Sequence, residues 1–326
     1  MLNTELGLVE NFLDENAESA ATRDGFGEGL VLAGDENENV VAVCADLTES
    51  VRINKFAEKY PNRFFQVGVA EQNLAGVSAG LALNGKIPFA GSFAVFNPGR
   101  NWDQVRVSIA YTNANVKIIG SHAGFSNGPD GATHQALEDI ALTRVLPNFT
   151  VLSPCDSVEA KKATQAAAKI NGPVYIRLAR NKTPIITTEN TPFEIGKANI
   201  FVKGSDLTLI STGPIILEAL KAAKEVKSKY QLSVEVINLH TIKPLDEKTV
   251  LESVKKTGKV VTVEEHQIAG GMGSAIAELL SEKFPVPIKR IGAHDTFGES
   301  GLPDQLLEKY EISAQHIEIA VKNLCL

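Results

Sequence analysis

The sequence predicts an α/β protein of two doubly wound units, a larger parallel-sheet domain followed by a smaller α/β domain. Three observations predict it. Short Val/Ile-rich runs alternate with Ala-rich amphipathic stretches along almost the whole chain, and continuous apolar strands separated by helices mark a parallel sheet covered on both faces. The alternation breaks once, at NKTPIITTENTPFEIGK (181–197), and then restarts. Finally, 326 residues is the length of two ordinary domains.

The elements follow in order. Predicted buried strands are Val40–Ala45, Phe64–Val69, Ile87–Phe93, Val116–Ser121, Phe149–Ser153 and Pro173–Leu178. Helical spacing predicts Arg52–Lys59, Glu71–Leu83, Asn101–Tyr111, Ala136–Val145 and Ser157–Ile170 between them. The Thr- and Pro-rich break reads as a linker, giving domains at 1–182 and 199–326 with residues 183–198 joining them. Beyond it, strands are expected at Leu207–Ser211, Ser233–Leu239, Lys259–Glu264 and Ile288–Gly292. The helices there are Ile215–Lys227, Asp246–Lys256, Gly273–Lys283 and Pro303–Tyr310.

Composition bounds the function. Lys plus Arg is 32 against 39 Asp plus Glu, a net charge of -7, so no global basic field draws the chain to nucleic acid or anionic lipid. No apolar run reaches the roughly 18–20 residues of a membrane span, and the acidic opening MLNTELGLVENFLDENAES lacks a signal-peptide pattern. Cys44, Cys155 and Cys325 are odd in number and far apart, which argues against a disulfide framework or a zinc site. The expectation is a reducing, cytoplasmic protein with neither membrane nor nucleic-acid partners.

Ligands of open α/β sheets bind outside the carboxyl ends of the strands. In the first domain those ends carry Asp46, Glu71, the pair Phe93 and Phe96, and His122. Glu71 is the only charged residue from Val67 to Leu83. A lone carboxylate among Val, Ala, Gly and Leu is desolvated, which favours its neutral form; a place at a helix start favours the anion. An ordinary first-turn acid is the bland alternative. The stretch SHAGFSNGPDGATHQALED (121–139) puts His122, Asp130 and His134 on a Gly-rich loop, a polar-substrate constellation unless it is a capping loop with solvated histidines. Arg23 and Arg180 are the basic residues placed to meet an anion. GGMG at 270–273 is a poor dinucleotide signal, better explained by tight helix packing.

These residues resemble the C-terminal half of transketolase. The carriers are CADLTES (44–50), VGVAEQNLAG (67–76), AGSFAVF (90–96) and, most specific, SHAGFSNGPDGATHQALEDIALTR (121–144), with VINLHTIKPLD and VEEHQIAGGMGSA in the second domain. The resemblance implies a thiamine-diphosphate pyrimidine-binding domain followed by the family's C-terminal domain. It implies transfer of a two-carbon ketol unit from a ketose phosphate to an aldose phosphate, the cofactor acting as electron sink.

By the same resemblance Glu71 bonds the pyrimidine ring nitrogen, Phe93 and Phe96 pack on that ring, and Asp46 supports the cofactor site. His122 and His134 bond donor-sugar oxygens, and Asp130 reads a donor hydroxyl. Arg23, Ser50 and Arg180 hold the sugar phosphate. The stretch NPGRN departs from the family, which usually has a further aromatic there, and this implies a thinner aromatic wall. No Gly-Asp-Gly stretch occurs, so the diphosphate and its Mg²⁺ are expected on a separate N-terminal transketolase subunit. Self-association through both domains is also implied. The alternatives are the beta subunit of a 2-oxo-acid dehydrogenase, a deoxyxylulose-phosphate synthase, and a non-catalytic assembly module.

Overall fold

The computed structural model describes residues 2–326. The first domain runs β1 (Ser19–Ala21), α1 (Thr22–Glu36), β2 (Val40–Cys44), α2 (Asn54–Lys59), β3 (Phe64–Gln66), α3 (Glu71–Leu83), β4 (Ile87–Phe93) and α4 (Trp102–Gln104). It continues through β5 (Lys117–Ser121), α5 (Asp139–Arg144), β6 (Thr150–Leu152), α6 (Ser157–Lys169), β7 (Val174–Arg177) and β8 (Lys182–Pro184). The second domain is β9 (Asn199–Val202), β10 (Leu207–Ser211), α7 (Ile216–Tyr230), β11 (Val234–Asn238), β12 (Thr241–Lys243), α8 (Glu247–Thr257), β13 (Val260–Gln267), α9 (Met272–Lys283), β14 (Ile288–Ala293), α10 (Pro303–Lys309) and α11 (Ala314–Cys325).

The first sheet has the order β12-β6-β7-β5-β4-β2-β3 and is parallel except for β12, a strand lent by the second domain. Its fully buried strands β2, β5 and β7 are the expected apolar runs. One face packs α1, α2 and α6 around Phe26, Leu30, Phe56 and Phe89. The other packs α3 and the π-helical turn Val105–Tyr111 around Leu74, Ile109 and Ile118, and this core continues into the second domain through Ile237, Leu239 and Ile242. The second sheet is β14-β13-β10-β11-β9, parallel except for edge strand β9. The N-terminal residues Leu2, Leu6, Val9 and Phe12 pack on this second core rather than on the first.

Several elements differ from expectation. Helix α1 escaped prediction because its sequence, TRDGFGEGLVLAGDE, carries four glycines. Two of them are there for closeness to α6: a Cβ at Gly25 would lie 1.8 Å from Ser157 O, and one at Gly29 would lie 2.7 Å from Lys161 O. The expected helix Ala136–Val145 begins only at Asp139, because Ala136 bridges Ala123 and keeps the chain extended. Among the described residues no helix is long and apolar enough to cross a membrane.

Candidate active site

Strands β3, β2, β4 and β5 are neighbours and parallel, so their carboxyl ends lie side by side. Two residues at these ends hold a left-handed backbone that non-glycine residues rarely adopt, Asp46 at φ 60 and His122 at φ 61. Such strain persists where the surroundings over-determine it. Here it turns each chain sharply off its strand.

Glu71 is the first residue of α3 and is 2% exposed. Its burial matches the sequence, but its uncharged surroundings do not. Arg100 Nη1 donates to Oε2 at 2.7 Å, and Ser92 Oγ reaches Oε1 at 3.4 Å. Arg100 comes from NPGRN, the stretch marked only by its missing aromatic. A helical turn brings Arg100 N to Phe96 O at 3.0 Å, and the guanidinium lies 4.3 Å from the Phe96 ring centroid. A planar cation thus covers the aromatic where the thinner wall was expected. The i, i+4 spacing of Phe96 and Arg100 was the available signal. Asn101 and Asn97, also missed, lock the turn: Asn101 Nδ2 donates to Glu71 O at 2.9 Å and to Asn97 Oδ1 at 3.0 Å, and Asn97 Nδ2 donates to Ala90 O at 2.9 Å.

From Phe96 the rings run on. Phe93 stacks near it, with centroids 6.1 Å apart, and His122 stacks on Phe93 at 3.8 Å. His134 meets both phenyl rings edge-on, at 5.4 and 6.0 Å. Arg23 Nη1 lies 3.2 Å from His122 Nε2. A guanidinium only donates, so Nε2 is the acceptor and the proton sits on Nδ1, which donates to Ser121 Oγ at 2.9 Å. Burial, then Arg23, Arg180 and Arg52, hold this imidazole down at about 3. His122 is therefore neutral with a fixed tautomer.

Arg23 also donates to Ser50 O at 2.9 Å, and its buried Nε has no partner. Arg180 Nη1 donates to Asn127 O at 3.1 Å and to Asp130 Oδ1 at 3.3 Å, so Asp130 is shared with a cation. Arg52, missed by the sequence reading, adds a further positive charge and pairs with Asp24 at 2.6 Å. Glu71, Phe93, Phe96, His122, His134, Arg23 and Ser50 are thus brought into one contact network, with Asp130 and Arg180 paired beside it. Asp46 is not drawn in: it is exposed, and only its backbone N–H is held, by Gln66 Oε1 at 2.7 Å.

The GGMG turn is occupied by the protein itself. Glu264 accepts from Met272 N at 2.6 Å and Gly273 N at 2.8 Å, putting a carboxylate where a phosphate would sit on the α9 terminus. Cys44 and Cys155 are buried free thiols.

Residues 18–185 match the family model of the transketolase pyrimidine-binding domain, and residues 196–317 match that of the transketolase C-terminal domain. The chain is 46% identical over 299 residues to the transketolase C-terminal section of Methanocaldococcus jannaschii, covering 90% of this chain and 93% of that one. It is 43% identical over 295 residues to the 6-deoxy-6-sulfo-D-fructose transketolase subunit SqwH of Clostridium sp. (strain MSTE9), covering 90% and 91%. Among solved structures, a split-gene transketolase described as an inactive β4 tetramer superposes with a TM-score of 0.88 at 44% identity, covering 94% of this chain and 98% of that one.

Proposed function

Because the chain belongs to the transketolase family, we propose that it is the pyrimidine-binding and C-terminal half of a split transketolase, moving a two-carbon ketol unit from a ketose phosphate to an aldose phosphate together with an N-terminal subunit. One observation carries the reading. An unbroken line of contacts runs from Glu71 through Arg100, Phe96, Phe93 and His122 to Arg23, joining a ring-binding end to an anion-binding end.

Thiamine diphosphate fits the ring-binding end. The planar Arg100 guanidinium lies on Phe96 and donates to Glu71, and these are the two side chains an aminopyrimidine needs, one to stack on and one to share a proton with its ring nitrogen. Phe93, Phe96 and Glu71 hold the ring in this proposal, with Asp46 on the adjoining strand end. When bound, the cofactor supplies the electron sink for breaking the bond beside the ketose carbonyl. Glu71 holds a proton at the ring nitrogen. His122 and His134 border the same rings and orient donor hydroxyls, and Asp130 reads one of them. Arg23, Ser50 and Arg180 take the phosphate. The named substrate of the Clostridium relative is a sulfosugar, and guanidiniums serve either anion, so a phosphosugar and sulfosugar panel assigns the donor.

The diphosphate and its Mg²⁺ belong to the N-terminal subunit, since no Gly-Asp-Gly stretch is present. Self-association through both domains is part of the proposal, in line with the tetramer described for the structural relative. The test is purification with the native companion, identification of that companion by mass, and assay of the assembly. Glu71→Ala should slow it on the order of 10²-fold or more. Turnover by the purified chain alone, given thiamine diphosphate and Mg²⁺, would overturn the split arrangement, and an unchanged rate for the variant would overturn the role of Glu71.

A further inference from the structure

Arg100 has a place in the site that its pairing with Glu71 only begins to describe. The Glu71 carboxylate is 2% exposed, whereas the Arg100 side chain that covers it is 48% exposed. Of this pair, the guanidinium is the solvent-facing partner and the carboxylate the buried one. That guanidinium also lies over the Phe96 ring, 4.3 Å from its centroid. A flat heterocycle that stacks on this face of Phe96 and bonds Oε2 of Glu71 competes with Arg100 for both contacts.

The residues around this pair fix every partner except Arg100. Asn101 and Asn97 are buried and bonded to backbone carbonyls, and Glu71 starts a helix. Arg100 alone has a long rotatable stem and a half-exposed side chain, and its backbone N–H is anchored on Phe96 O. Its head can leave the pocket by side-chain rotation while the turn stays in place. With Arg100 present, Glu71 is not a buried, nearly unpaired carboxylate, an arrangement that is strongly unfavourable. Ser92, at 3.4 Å, is a weak substitute.

Resting on the reading of this pocket as the pyrimidine site, we propose that Arg100 is a resident placeholder: its guanidinium holds the pyrimidine position on Phe96 and Glu71, and the cofactor ring binds by displacing it into solvent. The apparent affinity for the ring is then reduced by the fraction of chains in which Arg100 is in place. Entry of the cofactor exchanges one planar partner of Glu71 for another: the guanidinium donates to the carboxylate, whereas the pyrimidine ring nitrogen shares the proton that the Glu71 carboxyl then carries. Glu71 is kept paired in both states.

The test is calorimetric titration of the purified full chain with thiamine and with 4-amino-5-hydroxymethyl-2-methylpyrimidine, for the wild type, Arg100→Ala, Arg100→Gln and Arg100→Ala/Glu71→Ala, with circular dichroism as the check on folding. Arg100→Ala should bind about tenfold more tightly than the wild type. Arg100→Gln, which keeps a donor for Glu71 without the planar cation, should lie between them, and it stands in for the alanine variant if that one unfolds. Equal or weaker binding by both variants, as expected if Arg100 were a fixed wall of the pocket, overturns the proposal, and so does undetectable binding throughout. The double variant separates the two readings. If it loses binding, the pyrimidine site stands whatever Arg100 does; if it binds as Arg100→Ala does, the pyrimidine reading itself fails.

Discussion

At the scale of single residues, His122 is held far from its behaviour in water. Three effects act in one direction: burial, the guanidinium of Arg23 on Nε2, and the more distant charges of Arg180 and Arg52. Each disfavours the imidazolium, and together they leave a neutral ring that accepts at Nε2 and donates at Nδ1. A donor hydroxyl meeting Nε2 must then donate to it. The sign for stability follows: the unfolded chain takes up this proton near pH 6.5, and the folded chain takes it up only near 3. The contribution is present above pH 6.5 and is lost as pH falls toward 3. In an NMR titration the His122 ring should stay neutral from pH 8 to about 4.5. Arg23→Met removes both the donor and the nearest positive charge, so the titration should move upward toward the ordinary histidine range. An unmoved midpoint would mean that burial alone sets it.

At the scale of elements, the loop between β5 and α5, proposed to meet the substrate, is shaped from outside its own domain. Ser126 N donates to Glu265 Oε2 at 2.8 Å, Gln135 Nε2 donates to Glu299 O at 3.0 Å, and Phe125 stacks on Tyr310 at 4.1 Å. Gly131 sits at φ 74 with Ser300 Oγ 2.6 Å from where a Cβ would be, so no other residue fits without shifting one side. The second domain thus braces the loop that carries Asp130 and His134. Glu265→Ala should raise KM for the donor ketose in the assembled enzyme about tenfold, the equivalent of one buried hydrogen bond, with thiamine diphosphate affinity unchanged. Glu265→Gln, which keeps an acceptor oxygen, should restore most of it. Equal loss of cofactor affinity would point to general loosening. None of this bracing is legible in the sequence, because it joins residues more than 130 positions apart. What was legible depended on local pattern: apolar runs marked β2, β3, β4 and β5, and the residues at the carboxyl ends of the last three marked Glu71, the phenylalanines and His122. Helix α1 was lost because glycines chosen for contact with α6 read as breakers. Arg100 was lost because its partner, Glu71, lies on another strand end.

At the scale of the whole molecule, the two domains are tied by acids that have little access to water. Asp156 caps α6 by accepting from Glu159 N, and it also takes Ile186 N at 2.8 Å and Thr187 N at 2.6 Å from the linker. Glu159 accepts from Cys155 N at 2.6 Å and from Asn238 Nδ2 at 2.8 Å, reaching the end of β11 in the second domain. Burial, and then the neighbouring Asp156, push Glu159 up to about 7. The folded chain therefore holds a proton that the unfolded chain releases near 4.5. The stability tied to that proton is fully present below pH 4.5 and is lost as pH rises through about 7. At about 1.4 kcal/mol per unit of pKa, the change from 4.5 to about 7 amounts to roughly 3 kcal/mol. Glu159→Gln has no proton to lose and keeps an acceptor for one of the two donors. Thermal unfolding at pH 5 and pH 8 should find the wild type losing stability relative to this variant over that interval. Parallel curves would mean that Glu159 stays ionised in the folded protein and that the Cys155 and Asn238 donors fully offset its burial. Because the same junction ties the end of β11 to α6 just ahead of β12, which pairs with β6, the loss should also appear as faster proteolysis of the linker at pH 8 in the wild type than in Glu159→Gln.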